Sequence, residues 1–499
     1  MKGEEDWWRG GVLYQIYPRS FADSNDDRIG DLRGITERLD HLEWLGVNGI
    51  WLSPITPSPN ADWGYDVAEY CDVDPAFGTL ADLDVLVDEA GARGIRIVLD
   101  IVPNHTSVQH PWFVDARTSR MARHRDWYVW ADPGPDGAPP NNWTGGFTDS
   151  VWTLDPATGQ MFLHNFLPEQ ADLNWSNPEV RAEFERILQF WFARGVAGFR
   201  IDVAQMLVKD DELRDDPIAT DTDDWYSQMI GVRQEFSRHR PEVHDVYRRW
   251  REIADSYDPP RLLVGETWVQ DIDQMASYYG TCHDELDLAF NFPFLFSRPD
   301  PTSLSAIVAA TEAALPPGAW PVWTLGNHDV SRFPTRWAKG DRDRTRALLM
   351  LLLTLRGTPF LYYGDEIGMT DVPVEVPRDP MGRDPERTPM PWPEVDAQRA
   401  DRDSTLNLCR DVIALRRESA DLRAGDYTPI AVDGGLWAWR RGAGVIVAVN
   451  LGREPASLQA VTGTVVLCTD RARDGEPVTG PLTLSSNSAA VVLVHGTTA

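Results

Sequence analysis

The sequence predicts an α/β chain built on a (β/α)8 TIM barrel, with a subdomain inserted after the third strand and a C-terminal antiparallel β-sandwich. Three observations carry that prediction. Short runs rich in Val, Ile and Leu recur along most of the chain, each ending in a polar residue and followed by a helix-like stretch, which is the βαβ rhythm. One connection between such units is abnormally long. Beyond residue 425 the rhythm stops, and short β-branched runs separated by turn residues take its place.

In chain order the expected barrel strands are 13–17, 49–52, 96–101, 198–201, 262–265, 286–290, 322–325 and 360–363. Eight parallel strands are the number that closes a barrel. Amphipathic stretches at 35–45, 80–92, 178–194 and 342–355 supply outer helices. The long connection between 101 and 178 is rich in Trp, Pro, Gly, Asn and Asp, so it is expected to form a small domain of its own. Runs at 436–440, 445–450, 464–468 and 489–494 complete the chain as sandwich strands. The expected division is a barrel from 1–104 and 171–424, an inserted subdomain at 105–170 and a C-terminal β-domain at 425–499.

A chain of 499 residues is too long for a single hydrophobic core, which agrees with several domains. With 42% hydrophobic and 25% charged residues it reads as globular. The formal charge of −30 argues against nucleic acid or an anionic membrane as partner, since either would be repelled. A neutral small molecule is unaffected. The first residues, MKGEEDWWRGG, lack an apolar signal region, and the longest apolar run, 347–355, is too short to span a bilayer. The expected location is the cytoplasm. Cys71, Cys282, Cys409 and Cys468 have no CxxC spacing and read as free thiols.

Barrel enzymes place their catalytic groups at the C-terminal ends of the strands. There the sequence sets Asp100 and Asn104-His105 on the third strand, Arg200 and Asp202 on the fourth, Glu266 on the fifth and Asn327-His328-Asp329 on the seventh. No GxSxG elbow, P-loop, GxGxxG or HExxH accompanies them, which disfavours acyl, phosphoryl and hydride transfer and zinc proteolysis. Carboxylates that converge on one mouth fit glycosidic bond cleavage, where one acid protonates the leaving oxygen and another attacks or stabilises the sugar cation.

The motifs DIVPNH (100–105), GFRIDVA (198–204), GETW (265–268), GNHD (326–329), QADLNW (170–175), DWGYDV (62–67), GTPFLYYGDEIGM (357–369) and RTPMPW (387–392) together resemble the α-amylase superfamily, glycoside hydrolase family 13. Within it they are similar to the exo-acting α-glucosidases and oligo-1,6-glucosidases. The resemblance implies that Asp202 is the nucleophile, Glu266 the general acid/base and Asp329 the carboxylate that stabilises the transition state. It implies that His105 and His328 hydrogen-bond the reacting sugar and that Tyr65 stacks on it. Arg200, on the same strand face as Asp202, is placed to hold the nucleophile ionised.

In the exo-acting relatives an Asp before GYD pairs with an Arg before TPM to close the pocket behind the terminal sugar. Asp62 and Arg387 fit that pattern, with Arg383 as the other candidate. Phe147 and Phe166 match apolar walls of the same pocket. A structural, non-catalytic Ca2+ or Mg2+ is implied at Asp23, Asn25, Asp27, Ile29 and Asp31, although Asp26 and Arg28 stand where relatives carry glycine. No cofactor is expected for catalysis.

Val203 and QADLNW resemble enzymes acting on α-1,6 bonds, with Ala171 in place of proline, and relatives also cleave α-1,4 bonds. The expectation is a retaining α-glucosidase acting on the non-reducing end of short α-glucosides. Glucosyl transfer or sugar isomerisation is the alternative at the same centre. A non-catalytic transporter subunit of the family would have a membrane segment and lost carboxylates, neither of which the sequence shows. The oligomeric state is not legible.

Overall fold

The computed structural model describes residues 6–494 apart from Gly146 and Asp149. Eight parallel strands form one sheet: β1 (Leu13–Ile16), β2 (Gly49–Leu52), β3 (Arg96–Ile101), β4 (Gly198–Ile201), β5 (Leu262–Gly265), β6 (Leu288–Ala289), β7 (Val322–Thr324) and β8 (Thr358–Tyr362). Their order is β6-β5-β4-β3-β2-β1-β8-β7, so each strand lies beside its sequence neighbour and β1 joins β8. Between β6 and β7 the seam is bridged by the Tyr279 hydroxyl, which accepts from the Ala289 amide at 3.1 Å and donates to the Trp320 carbonyl at 3.1 Å. β6 is shorter than the run 286–290 because only Leu288 and Ala289 pair, both with β5.

Strand residues alternate between two cores with the period of two that a pleated strand imposes. Leu13, Trp51, Val98, Leu262, Val264, Leu288, Val322 and Phe360 fill the barrel interior together with Phe290 and Phe292. Their neighbours, such as Ile50, Ile97, Leu99, Phe199 and Leu263, face the outer helices. At the same alternation Asp100, Arg200, Asp202 and Glu266 point inward, above that apolar plug. Gly198 is required where it stands, since a Cβ there would lie 2.4 Å from the Leu262 carbonyl oxygen of the paired strand.

Helices Leu80–Ala92, Pro178–Ala193 and Arg342–Thr354 start at N-caps Thr79, Asn177 and Asp341, each accepting a backbone N–H at the first turn. The expected helix 35–45 is instead two helices, Leu32–Glu37 and Leu39–Leu45, broken at Arg38, whose φ of −104° and ψ of 5° leave the α region. Periodicity alone does not register such a one-residue break.

The chain leaves the barrel after β3. Strand His105–Ser107 pairs antiparallel with Gln170–Asp172 at the neck of the excursion. A three-stranded sheet (Trp130–Ala131, Trp152–Asp155, Gln160–Leu163) and a small core of Trp143, Val151, Trp152, Met161 and Leu163 lie beyond it.

The C-terminal part is built from β9 (Tyr427–Asp433), β10 (Leu436–Arg441), β11 (Val445–Asn450), β12 (Ala456–Cys468), β13 (Pro477–Leu484) and β14 (Ser488–Val494). All six belong to one antiparallel ladder, in which β12 is bulged at two places. One face packs its own core from Leu436, Ala438, Ile446, Val465, Leu482 and Val492. The other sets Trp437, Trp439 and Val447 into the core shared with the barrel helices. The Arg441 guanidinium ties the two parts by donating to the Thr354 and Leu422 carbonyls.

All four cysteines are free. No helix among the described residues is long and apolar enough to cross a membrane.

Candidate active site

Ladder register brings the two principal carboxyls together. Val264 pairs with Arg200 and Gly265 with Ile201, and the Glu266 amide continues the ladder by donating to the Ile201 carbonyl at 2.9 Å. Asp202 and Glu266 therefore stand opposite one another, one residue beyond the ends of β4 and β5. A single guanidinium spans both: Arg200 Nη1 donates to Asp202 Oδ1 at 2.7 Å and Nη2 lies 2.7 Å from Glu266 Oε2. Nη1 also reaches Asp100 Oδ1 at 2.9 Å, the residue paired with it across β3 and β4. Val203 adopts a left-handed conformation (φ 39°, ψ 50°), costly for a β-branched residue, and its amide donates to Glu266 Oε2 at 3.0 Å. Local strain is thus tied to the placement of Glu266.

Three acids share one buried cation. Burial pushes the Asp202 carboxyl up, as do the charges of Glu266, Asp100 and Asp329, while Arg200 pulls it down. Burial likewise raises Asp100 to about 6, against Arg200 and the Tyr65 hydroxyl. Burial and mutual repulsion therefore make Asp202 and Asp100 hold a proton more tightly than free carboxyls do. Asp329 differs. Burial alone would raise it, but the His328 Nε2–H, 3.2 Å from Asp329 Oδ2, and the Arg383 and Arg387 guanidiniums outweigh burial and hold it below the usual carboxylate range.

The hydrogen-bond network assigns the histidine protons. Tyr65 donates to Asp100 Oδ2 at 2.9 Å, so its oxygen accepts from His328 Nε2 at 2.5 Å, and His328 Nδ1 accepts from Gln15 Nε2 at 2.7 Å. Burial lowers His328 well below its ordinary value, leaving a neutral ring stacked on Tyr65 with centroids 5.2 Å apart. His105 is brought to about 4 by burial. Its Nε2 donates to the Tyr65 carbonyl at 3.0 Å, and its Nδ1 accepts from Asn104 at 3.1 Å.

A cavity of about 360 Å3 opens at this point. Of the candidate site residues, Asp62, Tyr65, His105, Phe147, Phe166, Asp202, Glu266, Asp329 and Arg383 line it. Arg200, His328 and Arg387 stand behind that surface and act on it through Asp202, Tyr65 and Asp329.

The expected Asp62–Arg387 pair is corrected. Arg383 donates to Asp62 Oδ1 and, at 2.9 Å, to Asp329 Oδ1, whereas Arg387 binds Asp329 Oδ1 at 2.9 Å and the His328 carbonyl at 2.7 Å. Asp379, absent from the sequence reading, causes the exchange: it accepts from the Arg383 amide, Nε and Nη2 and so turns that guanidinium toward Asp62. Phe147 lies under Arg383 at 5.7 Å and packs edge-on to Phe166 at 5.2 Å.

Other cavity residues were not among the candidate site residues, although Gln170, Trp268 and Asn327 lie within QADLNW, GETW and GNHD. Gln170 donates to Asp62 Oδ2 at 3.0 Å. Tyr226, Trp268, Phe292 and Phe296 form a row of rings, with centroids 4.4 Å apart for Tyr226–Trp268 and 6.0 Å for Trp268–Phe292 and Trp268–Phe296. Gln205, Met229, Arg238, Asn327 and Met381 complete that side.

The loop with Asp23, Asn25, Asp27, Ile29 and Asp31 does not gather into a metal cage. Asp23 accepts from the amides of Asn25, Asp26 and Arg28, Asn25 from Asp27, Asp27 from Ile29, and Asp31 from Ser24 and Gly34. The side-chain oxygens are taken up by the loop's own amides, and Asp26 (φ 65°) and Arg28 (φ 73°) occupy left-handed positions suited to glycine. Among the described residues no group of three or more Asp, Glu, His or Cys is placed to hold a metal ion. In this arrangement the loop presents no preformed group of three carboxylates to a Ca2+ or Mg2+.

Fold and site together define a barrel enzyme whose chemistry rests on carboxyl groups at the strand ends. Residues 15–425 match the family model described as alpha amylase, catalytic domain, and the chain belongs to that family. A probable alpha-glucosidase of Rhizobium meliloti (strain 1021) is 38% identical, covering 92% of this chain and 91% of that protein. An oligo-1,6-glucosidase of Heyndrickxia coagulans is 40% identical over 74% of this chain and 68% of that one. Among solved structures, an alpha-glucosyl transfer enzyme, XgtA, superposes with a TM-score of 0.90 at 35% identity, covering 98% of this chain and 99% of that chain. The protein is accordingly an enzyme of the glycoside hydrolase type.

Proposed function

We propose that the enzyme is a retaining, exo-acting α-glucosidase that releases α-glucose from the non-reducing end of short α-1,4- or α-1,6-glucosides. The observation that supports the exo mode is the bridge from Arg383 to both Asp62 and Asp329 in the cavity wall. It would end the pocket behind one glucose unit and leave no passage for a longer chain. Phe147 and Phe166 wall the same side.

In this mechanism Asp202, held beside Arg200, attacks the anomeric carbon while Glu266, acting as the acid, donates a proton to the leaving oxygen. The alcohol departs, and a β-glucosyl ester on Asp202 remains. Glu266, now a carboxylate, takes a proton from water, which attacks the same carbon and displaces Asp202, giving α-glucose. Asp329, ionised by its arginine partners, accepts hydrogen bonds from sugar hydroxyls and stabilises the positive charge of the transition state.

A second reading, transfer of the glucosyl group to an alcohol in place of water, draws support from the ring-lined side beyond Glu266 and from likeness to XgtA. Initial rates on α-1,1-, α-1,2-, α-1,3-, α-1,4- and α-1,6-linked glucosides, with the first anomer followed by proton NMR, test both. Free α-glucose appearing first supports the proposal, β-glucose appearing first refutes retention, and new glucosides in place of glucose favour transfer.

A further inference from the structure

Arg238 differs from every other buried arginine of the described residues. It is 3% exposed, its Nε has no hydrogen-bond partner, and no carboxylate lies within ion-pair distance. The phenol of Tyr226 lies beside it, with the ring centroid 5.8 Å from the guanidinium, and the charges of Asp216 and Asp172 act on it from beyond ion-pair distance. Each of the other buried arginines donates to a carboxylate, an amide oxygen or a backbone carbonyl. Burying a guanidinium without a directly paired anion is unfavourable. Arg238 nonetheless forms part of the substrate cavity's wall.

A second unsatisfied donor lies on the same wall. Gln205 spends its Oε1 on the Trp268 amide at 3.2 Å, which leaves its buried Nε2 without a partner. The Gln205 carbonyl accepts from the His239 amide at 2.9 Å, so the segment carrying Arg238 is fastened to the segment carrying Gln205. Both segments adjoin the acid/base residue: Gln205 follows Asp202 by three positions, Trp268 follows Glu266 by two, and the Ala204 amide donates to the Glu266 carbonyl at 3.0 Å. The sugar-holding residues Asp62, His105 and Arg383 belong to other segments of the wall. Arg238 and Gln205 therefore stand on the leaving-group side.

We infer that Arg238 and Gln205 form a subsite for a negatively charged group, a phosphate ester or a carboxylate, carried by the leaving alcohol of the glucoside. A planar fork of N–H donors matches either oxyanion, and the Gln205 amide supplies a further donor. The adjoining rings of Tyr226 and Trp268 keep water from competing for the charge. This inference rests on the glucosidase reading and narrows its substrate class.

The test compares kcat/KM for a neutral α-glucosyl disaccharide, the same disaccharide phosphorylated on the leaving glucose, and the disaccharide whose leaving glucose is oxidised to the aldonate. The expected result is at least about tenfold higher kcat/KM for one or both charged substrates, and the better of the two identifies the oxyanion. In R238L the ratio of charged to neutral kcat/KM falls to about one, and in R238K part of it returns, melting temperatures showing that both variants fold. Equal rates on charged and neutral substrates in the unaltered enzyme overturn the inference while leaving the glucosidase reading intact. An unchanged ratio in R238L overturns it as well. If no α-glucoside of either charge is hydrolysed, the glucosidase reading itself fails.

Discussion

Arg383 reaches across 321 positions of sequence to lay its guanidinium on Asp62, and the same side chain holds Asp329. Both carboxylates are close enough for each to feel the other's charge, with burial raising Asp62 and Arg383 opposing that rise. Removing the cation would leave two cavity acids facing each other.

R383M is therefore expected to lower kcat/KM on the preferred glucoside by about 10²–10³, since breaking a buried pair costs about 3–5 kcal/mol. Much of that loss comes from the charge left behind on Asp62. The double variant D62N/R383M should be no less active than R383M. Steady-state kinetics of the four-member cycle checks this, and strictly additive losses contradict it.

Replacement of the two principal carboxyls should separate their roles. With α-glucosyl fluoride as substrate and azide as external nucleophile, D202A is expected to yield β-glucosyl azide, because azide enters the face that Asp202 vacates. E266A retains the nucleophile, so azide displaces the ester and the product is α-glucosyl azide. NMR of the products decides, and the same anomer from both variants would count against the assignment.

His110 offers a pH test away from the catalytic centre. Burial, helped by the His124 charge, brings it to about 3, and its Nδ1 caps helix Pro111–Ala116 by accepting from Trp112. The unfolded imidazole binds a proton near 6.5, so between 6.5 and about 3 the unfolded chain takes up a proton that the folded one refuses. Its contribution is present above pH 6.5 and is lost as pH falls. H110N keeps a capping oxygen and removes the titration. Relative to H110N, the unaltered protein should lose about 2 kcal/mol of stability from pH 6.5 to 5, read from denaturant unfolding.

Chelation should leave the melting temperature unchanged within about 1 °C, and added Ca2+ or Mg2+ should not raise it, because binding alone would add stability in proportion to occupancy. The oxygens of the 23–31 loop already accept from that loop's amides. Differential scanning calorimetry with and without chelator is sufficient, and a rise of several degrees with either cation would restore the cation loop.

All eight barrel strands were legible because burial on both faces demands continuous apolar runs, and the strand-end carboxyls were legible because each follows such a run directly. Asp202 and Glu266 needed only strand register to become neighbours. The break at Arg38 left no trace, since helical periodicity on either side is uninterrupted. Asp379 and Arg238 were invisible for another reason. Neither follows a strand, and each gains meaning only from charges or rings that distant segments bring to it.

By itself, then, the sequence determined the barrel, its family and the chemistry available at the strand ends, because these depend on local pattern and short spacing. The tertiary structure alone decided that Arg383 and not Arg387 meets Asp62, that the carboxylates of the 23–31 loop close on their own amides, and that the buried Arg238 Nε on the cavity wall is left without a hydrogen-bond partner. Those outcomes depend on which side chains compete for the same partner, and that competition arises only once segments hundreds of residues apart share one wall.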